Sequence, residues 1–232
     1  MRKCLATVGA TLALLFSSAP AGATILTFDV GSSSDVLLPD GYGDHVTAAT
    51  NPNQPGWSYG EGNGFTPNVT ISTESLGTPA WSPTIYKDGL HLPDVLSGYW
   101  TDSGILWINS DDGWTASLNS LTVAIWGNSQ QTFNVGILRD DGPAELTGDV
   151  VLGGIGGSTS MNLNFASVSA NRIGIQLLHK LGGNLYEGGW GMFGIDDVNF
   201  DQRPATVPEP GTLALASLGG VVGGLLRRRR TR

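Results

Sequence analysis

The sequence predicts an all-β body, a β-sandwich of short strands, with a signal helix before it and a single transmembrane helix after it. Three observations carry that expectation. Apolar and polar residues alternate in short runs, as in Phe133, Val135 and Ile137 or Ile173, Ile175 and Leu177, and a period of two puts such residues on one face of a strand. The runs are broken by Gly, Asp, Asn and Pro, which end strands and make turns. No stretch of the body keeps a helical period, whereas each end of the chain carries an apolar stretch beside basic residues.

The front end reads as a secretory signal peptide over Met1–Ala23. Arg2 and Lys3 form its basic start, Leu5 to Phe16 its apolar core, and Ala21-Gly22-Ala23 a small-x-small cleavage site, so the mature chain is expected to start at Thr24. Cys4 is the single cysteine and leaves with the signal. The body is therefore expected to hold no disulfide, although it passes through an oxidising compartment.

The body is expected over residues 24–203. Thr24 to Val30 alternates and reads as an opening strand. Gly31 to Ser34 is a break, and Asp35 to Pro67, rich in Gly, Pro, Asn and Asp, reads as long loop with short edge strands. Val69 to Thr73 is a short strand, and Thr78 to Trp100 is loop again, punctuated by Pro79, Pro83 and Pro93. The pattern then tightens. Strands are expected over Ile105–Asn109, Trp114–Leu118, Leu121–Trp126, Thr132–Leu138, Leu146–Leu152, Met161–Phe165, Ile173–Leu177 and Phe193–Phe200. Asp111-Asp112-Gly113 and Asp140-Asp141-Gly142 are turn sequences, the second a hairpin. About 180 residues can bury a core without covalent staples. From Thr24 to Val207 there are five basic residues against nineteen acidic ones, all but Glu209, a net charge of −14. That sign repels phosphate backbones and sets nucleic-acid binding aside; it favours solubility and cations.

The segment 204–232 has three parts in order. Pro208-Glu209-Pro210 holds the chain extended. Thr212 to Leu226 is uncharged and forms a helix in lipid, where backbone groups must bond internally. Arg227, Arg228, Arg229 and Arg230 stay on the cytoplasmic side, which leaves the body outside. The apolar run is shorter than the roughly 20 residues of a comfortable span. Gly219, Gly220, Gly223 and Gly224 weaken it as a helix, which suits brief retention better than a permanent anchor.

This order resembles the PEP-CTERM sorting signal of exported bacterial proteins. The resemblance implies transit through the inner membrane, recognition of Glu209 between its two prolines by an exosortase, cleavage there, and release to the cell surface or an exopolysaccharide layer. Signal peptidase acts at the other end. A second resemblance covers the body thinly. Thr27-Phe28-Asp29, Gly41-Tyr42-Gly43, the run Ala116 to Leu121 and the closing run Gly194 to Phe200 look like the jelly-roll bodies found before such tails, and like galactose-binding-type and carbohydrate-binding jelly rolls. It implies a jelly-roll-like sandwich whose first and last strands pair. It also implies a structural calcium held by Asp29 with Asp196 or Asp197, although no Asp-x-Asp-x-Asp-Gly loop is present.

The remaining chemistry is sparse. Loop tryptophans stack on sugar rings, and Trp57 and Trp81, in Gly/Pro-rich loops, are the candidates for polysaccharide binding; Trp107 and Trp126, within strand patterns, are expected in the core. His45, His91 and His179 lack metal spacing. Glu61, Glu74, Glu145 and Glu187 are the carboxylates for an acid–base pair, and nothing in one sequence brings two of them together. The body is therefore expected to be non-catalytic, with a carbohydrate-binding module as the alternative and a secreted hydrolase as the third reading.

Overall fold

A computed structural model of the chain describes residues 22–60, 64–77, 80–87, 92, 94–98, 103–126, 129–154, 159–181, 184–187 and 193–205. Most of the expected signal peptide and residues 206–232 of the sorting segment, with Pro208, Glu209, Pro210, the helix expected over 212–226 and Arg227 to Arg230, lie outside the described residues, as do His91 and Glu61.

Fourteen strands are described: β1 (Thr24–Leu26), β2 (Val36–Leu37), β3 (Val69–Ser75), β4 (Thr84–Lys87), β5 (Asp94–Ser97), β6 (Gly104–Ser110), β7 (Trp114–Ile125), β8 (Gln131–Arg139), β9 (Glu145–Leu146), β10 (Val150–Leu152), β11 (Ser160–Ala170), β12 (Arg172–Leu181), β13 (Asn184–Glu187) and β14 (Phe193–Pro204). They form two sheets in which every pairing is antiparallel. The front sheet runs β11-β7-β14-β5-β4-β2, with β1 also on β14; the back sheet runs β10-β8-β12-β6-β3, with β13 on β12 and β9 on β8. The body is an all-β, jelly-roll-like sandwich.

Alternation builds the core. Leu121, Val123 and Ile125 of β7 face Phe133, Val135 and Ile137 of β8 and Ile173, Ile175 and Leu177 of β12, all buried in one apolar cluster. Each such side chain contributes about 1.5–3 kcal/mol when fully buried. Phe133 and Phe193 stack across the sandwich with centroids 4.3 Å apart.

The structure redraws several expected boundaries. The opening strand stops at Leu26, because Phe28 takes a φ of 53° and leaves the ladder. The two strands expected over 114–126 are one, Trp114–Ile125. Its polar centre is a bulge: β14 pairs Asn199 with Ser120 and Phe200 with Leu118, which leaves Asn119 as the extra residue. The stretch 78–100, expected as loop, holds β4 and β5, and the single strand expected over 146–152 is two short ones. The Asp140-Asp141-Gly142 hairpin forms as expected, joining β8 to β9 with Asp140 at φ 52°.

Candidate functional site

The candidate site sits where β14 changes neighbours. Along one edge β14 pairs with β1 at residues 198–200; on that same side of the sheet, β5 meets it at Ile195. Between these contacts, on the opposite edge, β14 bulges away from β7: Asp196 faces Thr122, and the next matched pair is Asn199 with Ser120. A bulge adds a residue and re-aims side chains. Here Asp197 takes a φ of 48°, a left-handed conformation that Asp tolerates better than most residues. β1 and β5 part around this point, leaving a cavity of about 560 Å³ lined by Ile25, Thr27, Asp29, Ser58, Gly60, Leu92, Asp94, Asp196 and Asp197.

Four carboxylates therefore share one cavity, in four different states. Asp94 is held by Lys87, with its oxygen 2.8 Å from the ammonium. Asp29 is exposed and accepts the Gly31 amide at 3.1 Å. Asp196 is 5% exposed, and its Oδ1 accepts the Asp197 amide at 2.7 Å. Burial, then the neighbouring charges of Asp197 and Asp94, push the Asp196 carboxyl up to about 8. Burial also raises Asp197, against a hydrogen bond from Thr122 that lowers it. At neutral pH Asp196 is thus largely a neutral acid.

All three residues expected to hold calcium line this cavity. Carboxylate oxygens are the right donor type for a hard cation. The arrangement falls short of a coordination sphere: among the described residues no three acidic, histidine or cysteine side chains stand close enough to hold an ion between them. The residues as placed do not fit a closed calcium site.

The expected sugar platforms are corrected. Trp81 is 6% exposed and belongs to the core; a Cβ on Gly104 would come within 2.1 Å of its ring. Trp57 is half-buried, edge-on to the buried Tyr42 at 5.6 Å. Of the two tryptophans expected in the core, one is buried and one is not. Trp126 is 51% exposed beside Tyr86, with centroids 6.2 Å apart. Trp107 is 4% exposed but lies outside the core cluster, on the outer face of the back sheet. Sequence reasoning missed Asp94 and the Trp126–Tyr86 pair. Asp94 sits in a Pro-rich stretch with no readable strand, and Trp126 ends a strand whose period gives a face but not its cover.

The other candidates lie outside the lining of this cavity. Glu74 accepts the Trp107 indole N–H at 2.7 Å, and Glu145 accepts from Arg139 at 3.1 Å. Glu187 lies in β13. His45 Nδ1 is 2.8 Å from the Pro67 carbonyl, and His179 Nε2 is 3.2 Å from Gln131 Oε1, with burial lowering the imidazole below its usual range. Asp111 closes its turn through the Trp114 amide at 3.0 Å. Asp140 accepts the Arg172 amide at 3.1 Å, and Asp112 belongs to the turn after β6.

Residues 206–230 match the family described as the PEP-CTERM protein-sorting motif. No curated protein matches the chain. Among solved structures, the family 32 carbohydrate-binding module of C. perfringens NanJ, in complex with galactose, is 13% identical, with 58% of this chain and 93% of that one covered and a TM-score of 0.30. A Ruminococcus gnavus GH29 fucosidase in complex with fucose is 10% identical, with 61% and 26% covered and a TM-score of 0.32. These likenesses are loose, and nothing about a ligand of this chain rests on them. The chain thus carries a PEP-CTERM protein-sorting motif at 206–230, behind a jelly-roll-like body of two antiparallel sheets.

Proposed function

We propose that this is an exported, non-catalytic protein of the cell surface or exopolysaccharide matrix, cut from its membrane segment by an exosortase. The observation that carries the reading is the sorting motif at 206–230. Within it Pro208-Glu209-Pro210, the apolar run Thr212–Leu226 and Arg227 to Arg230 follow one another in the order a membrane protease needs. The arginines stay inside, the helix holds the chain in the membrane, and the extended Pro-Glu-Pro segment presents itself on the body's side. The non-catalytic part is supported by Glu74 and Glu145, which are engaged in structural bonds.

Glu209→Ala tests it. In the unaltered protein, mass spectrometry of the released form is expected to show a C-terminus near Pro208-Glu209-Pro210, without the arginines. In the variant the released form falls by about tenfold or more, the effect of losing a recognition contact of roughly 1.4 kcal/mol, and the intact chain collects in the membrane. A released protein that still ends in Arg232 overturns the reading.

The exposed Trp126 beside Tyr86 favours a second reading, a carbohydrate-binding role on a platform the sequence did not suggest. An exposed indole face supplies an apolar surface for a pyranose ring. Trp126→Ala is then expected to lower retention on the producer's own polysaccharide by about tenfold, as loss of one stacking contact of roughly 1.4 kcal/mol would, while Trp57→Ala acts only through stability. Equal retention of both the unaltered protein and Trp126→Ala ends this reading.

A further inference from the structure

β11 closes one side of the front sheet, and among the described residues no strand pairs with its other edge. An edge strand offers a row of free amides and carbonyls, which proteins ordinarily guard with short length, charge or proline. β11 has eleven residues, Ser160–Ala170, with no proline and no charge. From Val150 to Asn171 the chain carries no charged side chain at all. The other edges differ: β1 is three residues long and its Ile25 amide donates to the Tyr59 carbonyl, β2 follows Asp35, β3 contains Glu74, β9 contains Glu145, β10 follows Asp149 and β13 contains Glu187. The one guard on β11 is a bulge between Asn164 and Val168, which leaves Ser160 to Asn164 in regular register with β7.

The core is also open along this edge. Met161 and Leu163 oppose Val123 and Leu121, so both point to the inner face. Met161 is nonetheless 41% exposed, and Leu163, Phe165 and Val168 are half-buried at the margin of the core. Apolar inner-face residues are left uncovered because the sheet ends there.

We propose that the 160–164 edge of β11 pairs antiparallel with the same edge of a second copy, about a two-fold axis at Asn162. That register sets Met161 against Leu163 of the second copy, Asn162 against Asn162 and Ser160 against Asn164. Face is preserved, so each exposed methionine gains an apolar cross-strand neighbour. Charge selects the occupant. Two bodies of −14 repel each other over most of their surface, and this edge is where they meet without opposing carboxylates. A two-fold contact is self-complementary, so one uncharged edge serves both partners. Five residues a side make a weak contact that depends on the high local concentration of a surface layer.

The test uses the full chain in cells that export it. Cys4→Ser removes the native thiol, and single cysteines are placed in turn at each position from Ser160 to Asn164 and oxidised with copper phenanthroline. Disulfide dimer is expected to peak at Asn162→Cys, about fivefold or more above Ser160→Cys and Asn164→Cys, because a bridge forms only where Cα atoms come within about 7 Å. Thr73→Cys, on the acidic β3 edge, stays at background. Adding Met161→Lys to Asn162→Cys sets charge against Leu163 of the second copy and lowers the yield; Met161 is exposed, so the fold tolerates the change. A flat yield shared with Thr73→Cys shows random collision and overturns the proposal. So does no dimer at any of the five positions, or a mixed disulfide with a different protein in place of the dimer.

Discussion

Asp196→Asn is expected to stabilise the protein at pH 8 and to leave it nearly unchanged at pH 4. The Asp196 carboxyl is raised from an ordinary 3.8 to about 8 by burial and by the charges of Asp197 and Asp94. Between those values the folded chain holds a proton that the unfolded chain has released. Stability from this group is therefore complete below about 3.8 and is lost as pH rises through about 8. Each unit of the window is worth about 1.4 kcal/mol at most, and relaxation of the cavity reduces this, so the expected loss is a few kcal/mol. The side-chain amide of the variant keeps an oxygen that accepts the Asp197 N–H and never carries a charge, so the variant should melt higher at pH 8. Thermal unfolding at both pH values, in EDTA and in calcium, reads the effect. The same pH slope in both proteins would remove the argument. The gain at pH 8 is expected with and without the metal, because the four carboxylates do not close around an ion. A rise in melting temperature that needs calcium and disappears with Asp196→Asn would show that they do.

The second large effect is expected at Trp107. Its ring lies over Gly174, where a Cβ would come within 2.6 Å of it. The Arg172 guanidinium covers the ring at 3.6 Å from its centroid. Glu74 Oε2 accepts from the indole at 2.7 Å and from Arg172 Nη2 at 3.5 Å, and Asn109 Oδ1 accepts from Arg172 Nε at 3.1 Å. Trp107→Ala removes a buried ring and strands these partners, an expected loss of about 3–5 kcal/mol in urea unfolding. Arg172→Ala should cost about 1–2 kcal/mol, since it uncovers the ring, although its pairs with Glu74 and Asp141 are exposed and weak. The double variant should lose less than the sum, because both changes dismantle one assembly. Full additivity would show that the arginine and the ring do not depend on each other.

Trp107 also shows where sequence reading stops. Ile105, Leu106, Trp107 and Ile108 are four apolar residues in a row, so the period of two cannot say which pair faces in. Leu106 and Ile108 do; Trp107 faces out, and its cover comes from Arg172, far along the chain in a neighbouring strand. In β8 and β12 strict alternation made the inner face readable directly. The single strand β7 read as two because Asn119 and Ser120 interrupt its apolar pattern, and a bulge leaves the same trace in a sequence as a turn. The acidic cavity was half legible. Asp29, Asp196 and Asp197 lie on the first and last segments of the body, which pair. Asp94 joins them through a four-residue strand directly after Pro93, too short to show a period. Trp81 lies in a stretch of loop composition, and composition says nothing about what packs over a ring.

The pairing of β1 with β14 has a mechanical consequence. Thr24 lies opposite Phe200 in an antiparallel ladder, and β14 runs on to Pro204, so the first and last strands of the body have their outer ends on the same side of the sandwich. Tension applied between those two chain ends unzips the terminal pair one hydrogen bond at a time instead of loading all its bonds together. Tension between Pro204 and the rest of the sandwich is borne instead by the longer pairing of β14 with β7 along Phe193–Pro204, so the short first strand is the one that gives way first.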